Sequence, residues 1–588
     1  MPKNTPTKYD YAAHSRIAGP IASVKSCKQK VRYRSIMKPK DFTVALLLVL
    51  INLAIEIFFL FWLFQPEHFS WTKDTSTNLA TLTIIICIAV IELFRFINIA
   101  TLCLAALVAR DPIPMKAQRK LRVAFTTAIV PSKEPFDIVQ QTLAKMKQVR
   151  HKGTFDVWIL DEGNEDYIRD ACKTMGVHHF SRKGHAKWNT AKGAFKAKTK
   201  HGNHNAWLDA HGDNYDVVVS VDSDHAPLKN FCERILGYFR DPDVAFVVGP
   251  QVYGNYTNFV TKGAESQAYL FQAAIQRAGN AYNSAMFVGT NHAYRVQAWK
   301  ELGGFQDSIT EDMLTSLQVH THKNKLTNKY WKSVYTPDVL AVGEGPASWT
   351  DFFSQQLRWS RGSNEIMIKN YPRIAWRLTA GKRLHYSLLM AYYPSVAISW
   401  ALGISLSILF MTFGLIGVHI PGKIWLALYV DAAVVQAGMY IWLRRYNVSP
   451  HEEKHSPGVI GMLMSMVAAP IYATALSGAL LRRKLHFVVT PKGEQASPDQ
   501  LATFAKHFQW VAIAVLALII SVYTGQKYPG IWIWPILTIV VSLTPVTIWW
   551  RQSGQPLTKL FHQPKWMSVS SKFNFSNIKR PSDKGATP

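Results

Sequence analysis

A chain of 588 residues, 48% of them hydrophobic, has room for a large soluble domain as well as a membrane part, and its near-zero mean hydropathy conceals that the apolar residues come in blocks. Lys and Arg outnumber Asp and Glu by 66 to 38, a net charge of +28, yet the basic residues crowd the ends of apolar runs as the positive-inside bias requires, which argues against nucleic acid as the partner. The five cysteines (Cys27, Cys87, Cys103, Cys172, Cys232) show no paired metal or redox spacing, in keeping with a reduced cytosolic face.

The polar, basic segment 1–41 precedes the first apolar run, which starts too late for a cleaved leader. Residues 42–64 are almost uninterruptedly apolar apart from Glu56, and at about 1.5 Å per residue they cross a hydrocarbon core of roughly 30 Å. A second run covers 79–108, so two crossings fall within 42–110. Lys25, Lys28, Lys30, Arg32, Arg34, Lys38 and Lys40 place the N-terminus inside and return the chain to the cytosol after Arg110. Past a soluble domain at 111–350 and amphipathic interfacial helices at 351–383, further crossings are expected at 397–418 and 424–443 (within 384–443). Two more follow at 508–523 and 531–550 (within 506–550), before a basic cytosolic tail at 551–588.

The run 459–481, inside a segment 457–505, has basic flanks on both sides and Pro470 in its middle. It reads as an interfacial or re-entrant helix, giving six crossings, with seven as the competitor. Glu56, Glu92, Arg95 and Asp431 fall inside crossings and are expected to face the bundle interior or a polar pathway, Glu92 and Arg95 pairing at i,i+3.

Within the soluble domain, 123–130, 155–160 and 217–221 read as strands ending in polar turns. Ligands of open parallel sheets gather at such carboxyl ends. Asp222-Ser223-Asp224-His225 follows the third strand and offers two carboxylates and an imidazole, a donor set for a hard divalent ion such as Mg²⁺ or Mn²⁺. The earlier strand ends carry Val130-Pro131-Ser132-Lys133-Glu134 and Leu160-Asp161-Glu162-Gly163. Lys200-His201-Gly202-Asn203-His204-Asn205 supplies a lysine able to meet a phosphate oxygen as a point charge. Phe287-Val288-Gly289-Thr290-Asn291, Gly303-Gly304-Phe305 and Thr310-Glu311-Asp312 follow. Then comes Gln355-Gln356-Leu357-Arg358-Trp359, where an indole can stack on a sugar ring and a guanidinium can contact diphosphate. Phe487-Val488-Val489-Thr490-Pro491-Lys492-Gly493 lies between apolar segments as a flap able to cover a bound molecule.

Together these motifs resemble the processive, membrane-integrated glycosyltransferases of the cellulose synthase family, over residues 121–493 with flanking crossings. The resemblance implies an α/β fold, a GT-A (Rossmann-like) cytosolic domain joined to an α-helical transmembrane channel in the plasma membrane. It implies a UDP-sugar donor held by Ser132, Glu134, Asp161, Lys200, Gln355, Arg358, Phe487, Val489, Thr490 and Lys492, and Mg²⁺ or Mn²⁺ on Asp222, Asp224 and His225. Asp312 is the implied base, with Glu311 in support or, by a one-residue shift of register, in its place; Trp359, Thr290 and Asn291 meet the acceptor. Ser132, the early position of Glu134, and Glu162 depart from the family pattern.

The expected product is a β-glucan (cellulose-like, β-1,3 or mixed-linkage) made from UDP-glucose and extruded through the chain's own helices. A hyaluronan- or chitin-type product from a UDP-N-acetylhexosamine, and a non-catalytic transporter or scaffold, are the alternatives. Partners implied are the growing polysaccharide, the lipid bilayer and accessory subunits or further copies of the chain. The tail is too short for a cyclic-di-GMP receptor domain, so regulation by that messenger within this chain is not expected.

Overall fold

A computed structural model describes residues 11–23, 29–69, 73–414, 422–453, 456–483, 497–526 and 529–554, with Tyr9, Trp71 and His419 beside them. Runs of β-branched and aromatic residues between the second and third long apolar helices form seven strands: β1 (Val123–Ile129), β2 (Phe155–Asp161), β3 (His178–Phe180), β4 (Val217–Ser220), β5 (Val244–Val248), β6 (His292–Arg295) and β7 (Lys332–Tyr335). They pair in the order β7-β5-β6-β4-β1-β2-β3. Every strand but β6 shares one direction, β6 lying antiparallel between β4 and β5.

The inner strands β1, β4 and β5 are buried on both faces, which is why their sequences are largely apolar without alternation. Side chains of the sheet still divide by parity. Val123, Phe125, Val217 and Val219 enter one core with Leu143 and Phe231, while Ala124, Val218, Trp158 and Phe246 enter the other with Trp207 and Trp299. This packing fixes the carboxyl ends of β1, β2 and β4 side by side along one edge, and the candidate site is built there.

Among the described residues six helices are long and apolar enough to cross a membrane: Pro39–Leu63, Asn78–Val108, Ala380–Phe413, Gly422–Tyr446, Leu501–Thr524 and Gly530–Ser553. Leu47, Phe58, Phe61, Leu82, Leu516 and Val540 on them are exposed, a large apolar surface of the kind that lipid or another chain covers. The third helix begins at Ala380, earlier than the 397 expected from hydropathy. Its polar first turns are bolted to the soluble domain: Lys382 Nζ donates to Trp331 O at 2.8 Å, and the Tyr386 hydroxyl meets Ser316 Oγ at 2.7 Å and His320 Nδ1 at 2.8 Å. The ambiguous run folds as two helices, Val459–Val467 and Ala469–Leu480, bent by 41°; counted as one crossing it would make seven. Pro470 sits in the first turn of the second helix, where its missing N–H costs nothing.

Arg95 joins three of the apolar helices. Its guanidinium contacts Glu56 at 2.9 Å and Glu92 at 2.6 Å, and it lies against the rings of both Phe59 (4.7 Å) and Tyr429 (5.2 Å). Glu56 and Glu92 are buried, as expected of ionisable groups turned toward the bundle interior, and they pair with this arginine. Asp431 departs from that expectation: it is exposed, and nothing in the structure explains it.

Candidate active site

Asp222 lies two residues past the end of β4, after Val221. Its backbone N–H donates to Thr290 Oγ1 at 2.9 Å, which fixes the turn that carries Asp224 and His225. Ligand atoms of Asp222, Asp224 and His225 lie within 4.8 Å of one another, the one such group of His, Cys, Asp or Glu among the described residues. His225 Nδ1 and Asp224 Oδ1 are 3.0 Å apart, while His225 Nε2, buried, has no hydrogen-bond partner among the described residues. Two carboxylates and a buried imidazole fit a divalent cation with oxygen and nitrogen ligands. The ring packs so closely over Gly343 that a Cβ there would lie 2.3 Å from His225 Cε1, so only glycine leaves it room.

Helix α1 (Lys200–His211) starts at an N-cap Thr199 whose hydroxyl accepts from Gly202 N. Its first residue reaches the same turn: Lys200 Nζ is paired with Asp222 Oδ1 and donates to Gly289 O at 2.7 Å. Helix α2 (Glu311–Thr321) begins with the acid pair. A Cβ on Gly289 would be 3.6 Å from Lys200 Nζ and 3.8 Å from Asp312 Oδ2. The lysine, the metal-type carboxylate and the second acid of Thr-Glu-Asp therefore converge over one glycine.

Burial pushes the Glu311 carboxyl up to about 7, with the charge of Asp312 adding to the effect and Lys200 opposing it. Burial also raises Asp312, against the Met313 N–H that its Oδ1 accepts at 2.8 Å and the charges of Lys200 and Arg358. Behind the pair, Lys200, His204, His292 and Glu311 line a small cavity. Burial and the lysine's charge hold both histidines down to about 3, hence neutral.

Helix α3 (Trp349–Lys369) carries Gln355, Arg358 and Trp359, all half-buried. It packs against the start of α2 through Gly362, where a Cβ would lie 2.4 Å from Thr310 Cγ2. Arg358 acts electrostatically on both Glu311 and Asp312. The hydroxyl of Tyr253 lies within the electrostatic reach of both Gln355 and Asp224. Tyr253 carries no sequence signal of a site residue; it arrives there because Glu265 Oε2 accepts its backbone N–H at 2.6 Å.

Other expected site residues take up positions inside the protein. Asp161 is wholly buried: it accepts from Gly163 N and Glu165 N at 2.8 Å each and meets His179 Nε2 at 3.0 Å, so it shapes its turn. Glu134 accepts from Val130 N at 2.8 Å and from Ser223 Oγ at 2.7 Å, tying the first strand-end turn to the Asp-Ser-Asp turn. Thr290 and Asn291, expected at the acceptor, are fully buried, Asn291 donating to Pro250 O at 2.9 Å. They underpin the site from below because the chain turns inward at a left-handed Asn291 before entering β6. Ser132 is exposed at the edge. Phe487, Val489, Thr490 and Lys492 lie outside the described residues.

Glu162, which departs from the family pattern, has a partner that sequence did not suggest. Arg182, 1% exposed, makes a two-pronged pair with it (2.9 and 2.8 Å) and donates to the carbonyls of Trp188, Lys196 and Thr199. It holds the lysine-rich linker against the start of α1. Arg182→Met is expected to cost about 3–5 kcal/mol by stranding Glu162 and three carbonyls, read as a lower thermal unfolding temperature; a loss under about 1 kcal/mol would refute this.

The mixed sheet, with carboxylates at the ends of its parallel strands and a cation-type triad beside a lysine, defines a GT-A-like glycosyltransferase domain. Residues 127–303 match the profile described as Glycosyl transferase family 2, and residues 217–442 that of Glycosyl transferase family group 2. By these matches the chain is similar to family 2 glycosyltransferases over residues 127–442.

It is 26% identical over 292 residues to a UDP-forming cellulose synthase catalytic subunit of Xanthomonas axonopodis pv. citri (strain 306), covering 48% of this chain and 37% of that protein. It is 31% identical over 188 residues to a UDP-forming cellulose synthase catalytic subunit of Dictyostelium discoideum, covering 31% and 17%. The chain thus matches well under half the length of these relatives. Among solved structures, a mannosyltransferase from Pyrobaculum calidifontis in complex with GDP-Man and Mn²⁺ aligns at a TM-score of 0.43 and 13% identity, over 68% of this chain and 99% of that one.

Proposed function

We propose that this chain is a processive, inverting glycosyltransferase that builds a β-glucan from UDP-glucose on the cytosolic side of the plasma membrane and passes it out through its apolar helices. The observation that carries this reading is the convergence of Lys200, Asp222 and Asp312 over Gly289, beside the Arg358–Trp359 helix. Asp222, Asp224 and His225 would hold Mg²⁺ or Mn²⁺, which when bound offsets the charge of the leaving diphosphate. Lys200 and Arg358 add fixed positive charge on the donor's side, and Trp359 offers its indole to the acceptor sugar.

The acceptor hydroxyl gives its proton to Asp312. Its oxygen bonds the anomeric carbon of the donor from the side opposite the diphosphate, and the bond to the diphosphate oxygen breaks with that electron pair. Glu311 keeps the pair's combined charge low in the free site. Asp161, Glu134, Thr290 and Asn291 keep the strand-end turns in register, and residues 487–493 are the flap. Six apolar helices, with the basic segment before the first, support a multi-pass protein with the domain on the cytosolic side.

The test is incubation of purified, membrane-reconstituted protein with single UDP-sugars and Mn²⁺, followed by linkage analysis. A high-mass glucan from UDP-glucose is expected. A polymer from UDP-N-acetylhexosamines alone would move the reading to the hyaluronan or chitin type, and no UDP release with any donor would sink it.

The raised carboxyls give a pH dependence with a definite sign. The base acts as carboxylate, so protonation removes activity and turnover rises with pH through the pair's value. The acid limb of kcat/KM, which reports the unliganded site, is expected well above the ordinary carboxylate range near 4, shifted toward neutrality. A limb centred near 4 would contradict the geometry.

A further inference from the structure

Between α3 and the helix Ala380–Phe413 the chain makes two short helical turns, Tyr371–Ile374 and Ala375–Arg377. One face of this stretch is buried: Ile374 and Leu378, with Ile366 and Tyr386, pack against Met313, Leu314 and Leu317 of α2, the helix that begins with Glu311 and Asp312. The other face is open. Trp376 is 79% exposed, with Ile368 and Leu384 exposed near it in the chain. Arg373 and Arg377 are exposed, and the Arg383 guanidinium lies 5.1 Å from the centre of the Trp376 ring. No acidic residue occurs from 366 to 384. Lys382 is turned inward onto Trp331 O, and Lys369 is engaged by Glu365 at 3.4 Å, which leaves the three arginines as the charge of the open face.

This face adjoins a helix of 34 residues. At about 1.5 Å per residue that helix exceeds a hydrocarbon core of roughly 30 Å, so its first turns project beyond the core. An exposed indole flanked by arginines at the foot of such a helix has the chemistry of a headgroup-level anchor, and three guanidinium groups with no carboxylate partner among the described residues suit phosphate esters.

We propose that the open face of residues 368–384 docks on anionic phospholipid headgroups of the leaflet beside the soluble domain, and that this contact steadies the helix carrying Asp312. The second half rests on the reading of Asp312 as the base. Headgroup contacts on one side of the stretch and α2 on the other make it a spacer of fixed thickness between leaflet and acid pair.

The experiment uses the full chain, equilibrated with equal amounts of phosphatidylglycerol and phosphatidylcholine and weighed with its retained lipids by native mass spectrometry. Wild type is expected to retain phosphatidylglycerol over phosphatidylcholine by about fivefold or more, and the combined Arg373→Gln, Arg377→Gln, Arg383→Gln variant to fall to near parity with its unfolding temperature in phosphatidylcholine unchanged. An undiminished preference in that variant, or displacement of the lipid by millimolar inorganic phosphate, overturns the docking surface. Turnover in nanodiscs should climb with the anionic fraction for wild type and stay flat for the variant; a flat wild-type response overturns the link to α2. If no UDP-sugar is turned over while the lipid preference persists, the activity reading fails and the surface stands.

Discussion

Asp312→Asn is expected to lower turnover by about 10³-fold while leaving affinity for UDP within about twofold of wild type, because it removes the proton acceptor and keeps the shape. The side-chain amide oxygen of the variant would still accept from Met313 N–H, so the start of α2 stays in place and the loss reads as chemistry, not collapse. The corresponding change to the amide at Glu311 should be far milder, and the two together separate the roles of neighbours that interact too strongly to be told apart by titration. Turnover of Asp312→Asn within tenfold of wild type, or Glu311→Gln as damaging as Asp312→Asn, would transfer the base to Glu311.

Asp222→Ala should remove the dependence of UDP binding on the divalent ion. Affinity in Mn²⁺ is expected to fall by about a hundredfold, to the level seen in chelator, since one of two carboxylates in a three-ligand set is gone. The substitution also frees Lys200, which pairs with Asp222 and Gly289 O, so a Lys200→Met control is needed. Lys200→Met should weaken UDP binding and keep its metal dependence. If Asp222→Ala binds UDP as wild type does in Mn²⁺, the cation is not held there.

Much of this was legible in the chain because local rules and tertiary position agree. The Asp-Ser-Asp turn announces itself by following a run of valines, and Thr-Glu-Asp by opening a helix. The apolar helices stand out wherever their lipid-type faces are continuous. The third helix shows where that logic stops: Lys382, His385 and Tyr386 look too polar for a crossing, yet they are buried against the soluble domain and extend the helix back to Ala380. Tyr253, Arg182 and Gly343 were not legible, since each owes its place to contacts made far along the chain, with Glu265 and Gln355, with Glu162, and with His225 respectively. The turns at Asp161 and Thr290 resemble family motifs, but a motif does not tell whether a side chain faces the ligand or holds up the backbone that does.

The arginine of the second apolar helix carries a consequence for biogenesis. Arg95 finds its two glutamates as soon as the first helical hairpin is made, but its stacking partner Tyr429 is translated only after the entire catalytic domain. Through hundreds of codons the ion cluster is therefore complete, and only the Tyr429 ring against Arg95 is still missing.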